Sequence, residues 1–215
     1  MGRVVIATAA LVPRVAFAQT VDIGGHVGFY NPVGSLVLAP ASASQSFSIE
    51  KRLLVAPLVG VNAVVWRSSR LGFAAGVTYA PSRVAVILPG FVSDRNASVI
   101  LASVRVLYAL TPVAIGRGPP TGPTESMSYY VGAGVGLASR SGAVWSYSSG
   151  LTSPALVLNA GVQTFLTGPR FVMRMELEDY ISRAQFDAGT PSETPARLHH
   201  DLSISLSFAF RALMR

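Results

Sequence analysis

Cysteine is absent from this 215-residue chain. That excludes a disulfide scaffold, thiol chemistry and any cysteine-based metal site. Charge is scarce too: Asp, Glu, Lys and Arg make up 13% of the residues, against roughly 25% in ordinary soluble domains. Long apolar runs are also missing, although half the residues are hydrophobic and the mean hydropathy is +0.47. The best internal stretch, Leu53 to Trp66, has fourteen residues and contains Pro57 and Asn62. A membrane helix needs about 20. A chain that is greasy overall yet has no spanning helix suits the other membrane-crossing architecture, a closed β-barrel.

The first eighteen residues stand apart. Arg3 precedes an apolar stretch from Val4 to Val12, and Ala16-Phe17-Ala18 before Gln19 has the A-x-A form of a cleavage site. This pattern predicts a secretory signal peptide over residues 1–18, cut between Ala18 and Gln19. Losing Arg3 and Arg14 with it takes the formal charge from +7 to +5. No Lys/Arg cluster gathers that charge into a nucleic-acid footprint.

What is present is a series of period-two segments. In Leu202 to Phe210, Leu and Ile alternate with Ser203, Ser205 and Ser207, and the series closes on Phe208 and Phe210. Arg170 to Tyr180 sets Phe171, Met173, Met175 and Leu177 against Arg174, Glu176 and Glu178. Alternation of this kind gives a strand one greasy and one polar face. Three charges on one face cannot enter a dry core cheaply. Six more segments follow the rule with varying clarity: Asp22 to Tyr30, Leu53 to Trp66, Leu71 to Tyr79, Ser98 to Leu110, Tyr129 to Ser139, and Pro154 to Phe165. A ten-residue strand rises about 33 Å, and a tilt near 40° reduces this to about 25 Å, the height of an outer-membrane apolar band. The expected fold is all-β, an eight-stranded antiparallel up-and-down transmembrane β-barrel over residues 19–215. Its greasy faces would touch lipid and its serines would line the inside.

Connections and aromatics fit this reading. Trp66 to Leu71 and Phe165 to Arg170 form tight turns, whereas Asn31 to Glu50, Pro81 to Ala97, Arg140 to Ser153 and Ile181 to His200 form longer polar links. Outer-membrane barrels alternate short and long connections in this way. Thr111 to Met127 breaks the rule: seventeen residues, with prolines at 112, 119, 120 and 123, occupy a place where a short turn is expected. Height along the strands assigns an aromatic girdle to Trp66, Tyr108, Phe165, Phe171, Phe208 and Phe210 at one rim and to Tyr30, Tyr79 and Tyr180 at the other, since such rings favour membrane interfaces.

With these residues in view, the chain resembles the small bacterial outer-membrane β-barrel proteins of the OmpA-like and OmpW-like eight-stranded kind. The resemblance rests on the signal peptide, the strand series and the last strand. It implies an outer-membrane location, contact with membrane lipids and lipopolysaccharide, and a C-terminal signal at Phe208 and Phe210 read by the barrel-assembly machinery. Arg211 to Arg215 follow those aromatics and depart from the strict pattern. The OmpW-like resemblance also admits a channel for small or apolar molecules.

An eight-stranded barrel is just wide enough for side chains to fill it. The inward faces predict a polar lumen network of Arg105, Arg174, Glu176 and Glu178, with His26, Asn62, Asn159 and Gln163. Two positive and two negative charges point to a neutral plug. Gly132, Gly134 and Gly136 also face inward, leaving room for large groups opposite, and lack the spacing and following helix of a nucleotide loop. Of the three histidines, His199 shares a strand face with Asp201 and Ser203. Neighbours two apart lie about 6.6 Å from each other along a strand, too far for a base to activate a serine. The reading is therefore a non-enzymatic barrel with no cofactor or metal and a structural or surface-interaction role. Its rivals are the narrow channel and a lipid-modifying enzyme.

Overall fold

A computed structural model of the chain describes residues 19–34, 37–39, 49–88, 90–115, 127–142, 152–166, 170–184 and 197–214. The expected signal peptide, residues 1–18, lies outside the described residues. Ten strands follow in order: β1 Gln19–Val33, β2 Val37–Ala39, β3 Ile49–Leu53, β4 Ala56–Trp66, β5 Leu71–Leu88, β6 Phe91–Ala109, β7 Met127–Ser141, β8 Thr152–Phe165, β9 Phe171–Ala184 and β10 Arg197–Met214.

Eight of them close a ring. From β4 through β10 each strand pairs antiparallel with the next, β10 pairs with β1, and β1 pairs with β4. Closure leaves no open edge within the ring, the condition for a sheet in hydrocarbon. β3 is the outer continuation of β4, broken at Leu54–Val55, and pairs with the far end of β5. Ser82 Oγ donates to the Leu54 carbonyl at 2.7 Å, and the Leu54 N–H donates to the Arg83 carbonyl at 2.9 Å. Leu54 therefore keeps both of its backbone groups bonded at the break. β2 adds to β3.

Sidedness is inverted relative to a soluble protein. Ile23, Val61, Val77, Val104, Val135, Leu156, Leu177 and Ile204 point outward and are exposed. Ser203, Ser205 and Ser207 point inward and are buried, as are Arg105, Arg174 and Glu176. The alternation of β10 thus places aliphatic groups outside and hydroxyls inside.

The polar links are shorter than their sequence suggests. Most of Pro81 to Ala97 is a continuous hairpin of β5 and β6, paired as far as Leu88 with Phe91. Gly90, at φ 77°, occupies its turn, a conformation that favours glycine. β9 likewise runs to Ala184, and β10 begins at Arg197. Polar composition marks where the apolar band ends, while backbone pairing continues beyond it. Strands of 18 and 19 residues at about 3.3 Å per residue and a tilt near 40° span about 45 Å, roughly 20 Å more than the apolar band. The excess lies at the end opposite the β4–β5 and β8–β9 turns. These ends are called the loop side and the turn side.

Candidate functional site

Among the described residues the interior concentrates charge away from water, and its charges fall in three layers. Nearest the turn side, Asp22 of β1 lies between two arginines. Arg211 donates from Nε to Asp22 Oδ1 at 2.6 Å and from Nη2 to Oδ2 at 2.8 Å, a bidentate pair. Arg174 Nη2 donates to the same Oδ2, and its Nε donates to Gln163 Oε1 at 3.1 Å. In the middle layer Arg105 donates to Glu178 and lies 3.7 Å from Glu176. Asn159 Nδ2 donates to Glu176 at 3.3 Å, and the Tyr180 hydroxyl donates to Glu178 at 3.1 Å. His26 Nε2 and Thr78 Oγ1 share a bond of 2.8 Å. Toward the loop side, Asp201 accepts from both Arg140 and the Tyr30 hydroxyl.

Among the described residues, four buried arginines thus face four buried carboxylates: Arg105, Arg140, Arg174 and Arg211 against Asp22, Glu176, Glu178 and Asp201. A buried ion is tolerated only when paired and hydrogen-bonded. The sum is neutral.

Apolar packing separates and caps these layers. In the loop-side half, Tyr30, Leu58, Val84, Val99, Leu101, Val157 and Tyr180 belong to one interior cluster. At the turn side a second cluster joins Val64, Trp66, Ala74, Leu107, Ala109, Val113 and Tyr130. Its two largest rings meet edge to face at 6.1 Å between centroids. Each lies over a glycine on the paired strand. A methyl on Gly72 would stand 2.7 Å from the Trp66 ring, and one on Gly161 would stand 2.5 Å from that of Tyr130. The sequence fits large rings inside a narrow barrel by clearing the facing position. Gly132 does the same for the Asn159 side chain on its paired strand.

No protein-family model and no curated protein sequence matches the chain. Solved structures do. The outer membrane protein OprG from Pseudomonas aeruginosa superposes with a TM-score of 0.60 at 13% identity, covering 91% of this chain and 96% of that one. The outer membrane protein AlkL, solved in DMPC bilayers, gives 0.53 at 13% identity, covering 100% and 97%. The fold is that of an outer-membrane β-barrel. At this identity the likeness is one of architecture.

Within the barrel, the structure places the residues singled out from sequence as follows. Arg105, Arg174, Glu176, Glu178, His26, Asn62, Asn159 and Gln163 all face inward and are buried. Tyr79, Tyr108, Phe171, Phe208 and Phe210 face outward and are exposed, and Phe171 packs edge to face on Phe210 at 5.8 Å. Four girdle assignments are corrected. Tyr30, Trp66 and Tyr180 point into the lumen with at most 1% exposure, and half-buried Phe165 lies beneath the Arg211 guanidinium at 4.8 Å. The first three share strand parity with His26, Asn62 and Glu178, so the pleat turns them inward whatever their height.

His199, Asp201 and Ser203 lie on the inner face and are buried, and the Asp201 carboxylate is committed to Arg140 and Tyr30. Arg140 and Arg211 join the network from just outside the alternating segments of the sequence. In the sequence Arg140 stands at the edge of a polar link, and Arg211 follows Phe208 and Phe210, beyond the alternating segment. β10 instead runs on to Met214. The signal for Arg211 was parity with Ser207 and the presence of Asp22 on the facing strand.

Proposed function

We propose that this chain is an integral protein of the bacterial outer membrane, exported by its N-terminal segment, with a lumen filled by a charge-paired plug and a structural or surface-interaction role. The reading is carried by the buried ion pairs and the two apolar clusters of the interior. Four cations meet four anions inside a wall whose outer surface is apolar. A filled cylinder offers no route through it, so the working surface is the loop side, where the strands rise beyond the apolar band. Contact with membrane lipids and lipopolysaccharide outside, and recognition of Phe208 and Phe210 during assembly, complete the reading. An enzymatic reading draws no support from the least remote constellation, because His199, Asp201 and Ser203 are sealed inside and the carboxylate serves an ion pair.

Because the chain has no cysteine, single engineered thiols report cleanly on sidedness. Spin labels at Ile204→Cys and Leu158→Cys should collide with oxygen in the bilayer and stay hidden from a water-soluble relaxant. Water-exposed labels at both positions would overturn the membrane reading. Purified protein in planar bilayers should show no discrete conductance, and reproducible unitary steps would overturn the filled lumen. A second reading, passage of small apolar molecules, is favoured by the greasy loop-side half of the interior. Uptake of an alkane by vesicles that rises with protein content would select it.

A further inference from the structure

The long connection between β6 and β7 breaks the alternation of short and long links, and its first residues do not hang free. They turn back across the turn-side mouth of the barrel. Val113 is 2% exposed and belongs to the cluster of Trp66, Leu107 and Tyr130, with Ile115 packed against that cluster. Polar ties hold the backbone on either side of the inserted valine. The Tyr129 N–H donates to Thr111 Oγ1 at 2.9 Å, and Ser128 Oγ donates to the Pro112 carbonyl at 3.1 Å. The Val113 N–H donates to the Ser69 carbonyl at 2.8 Å. Arg211 Nη1 donates to the Ala114 carbonyl at 2.8 Å, while the rest of its guanidinium grips Asp22.

We propose that residues 110–115 are a stopper that seals the turn-side end of the lumen, and that Arg211 is its latch. A loop that merely joined two strands would leave its carbonyls to water and its side chains outside. Residues 110–115 commit six hydrogen bonds, to β7, to the β4–β5 turn and to β10, to holding a valine in an apolar floor. Val113 and Ile115 finish the cap that Trp66 and Tyr130 begin. Beneath the lowest charge layer they keep water from the Asp22 centre, where a low local dielectric strengthens the ion pairs. Arg211 couples the two events, since the same side chain neutralises Asp22 and pins the stopper. The proposal deepens the filled-lumen reading and rests on it.

The test needs the full chain in detergent micelles, where both ends are accessible. Ala109→Cys places a thiol in the floor, at a position with no exposure. A charged, membrane-impermeant methanethiosulfonate should modify it slowly, while a thiol at exposed Arg70→Cys reacts fast. Adding Val113→Lys sets an ammonium beside Arg211 in an apolar floor and should lift the stopper. Modification at position 109 should then rise by at least about tenfold, with the folded, heat-modifiable band unchanged. A folded Val113→Lys protein that reacts no faster would overturn the proposal. Should that variant fail to fold, hydrogen exchange on the unmodified chain decides. The Val113 amide should exchange at least about a hundredfold slower than a free loop amide, and an unprotected amide there would overturn the stopper. Unitary conductance in the parent protein would instead count against the filled lumen, so the two readings fail separately.

Discussion

The two halves of the interior solve the same problem by different chemistry. Above the apolar floor at the turn side, space is filled by ions that neutralise one another, with Asp22 between Arg174 and Arg211 and, in the middle layer, Arg105 between Glu176 and Glu178. Among the described residues toward the loop side it is filled mainly by hydrocarbon, with the ion pair of Arg140 and Asp201 tied to Tyr30. An ionic filling is strict about partners, because removing one member strands the other in a dry place. An aliphatic filling is strict about volume only. The barrel is therefore brittle to charge changes at one end and graded in its response to truncation at the other.

That contrast can be broken by measurement. The largest loss is expected from Asp22→Ala, which leaves two buried arginines facing each other; about 3–5 kcal/mol should disappear, read by urea unfolding in lipid vesicles. Charge-conserving Asp22→Glu should recover part of it. Next comes Leu101→Ala in the loop-side half, where a lost side chain and a residual cavity cost about 2–4 kcal/mol. If both substitutions cost the same and the double variant is strictly additive, the contrast has sharpened nothing. Tyr30→Phe removes one bond to an ionised carboxylate whose other partner remains, for about 1.5–3 kcal/mol. The smallest effect belongs to the outward-facing pair of His200 and Asp179 at 2.9 Å. Partly exposed at the loop side, it should lose under about 1 kcal/mol on His200→Ala. An effect there rivalling that of Asp22 would mean that stability does not reside in the lumen.

The sequence made the ionic half easier to read than the aliphatic half, for a physical reason. Arg174, Glu176 and Glu178 can only face away from lipid, so a single charged residue fixes the sidedness of a whole strand. Val99, Leu101 and Val157 suit lipid and interior equally well, and composition alone leaves their direction open. Parity resolves them. Leu101 shares the face of Arg105, and Tyr180 that of Glu178, and the same rule places Tyr30, Trp66 and Tyr180 inside. Height along the strand pointed to the girdle; the pleat decided otherwise. Strand lengths at the loop side were hidden because polar side chains such as Ser82, Arg83 and Asn96 signal the edge of the apolar band, whereas hydrogen bonding between β5 and β6 continues to Leu88 and Phe91. The role of residues 111–115 was illegible, since proline and glycine mark a link without saying where it leans.

Asp22 and Arg211 lie 189 positions apart, yet they meet across the strand pair that joins the two ends of the barrel sequence. A carboxylate carried near the start of the ring must wait for a guanidinium carried near its finish. Any intermediate lacking the closing strand loses the bidentate Arg211 partner and leaves Asp22 with Arg174 of β9 alone. The last strand to be made thus supplies the stronger half of the grip on a carboxylate carried by the first.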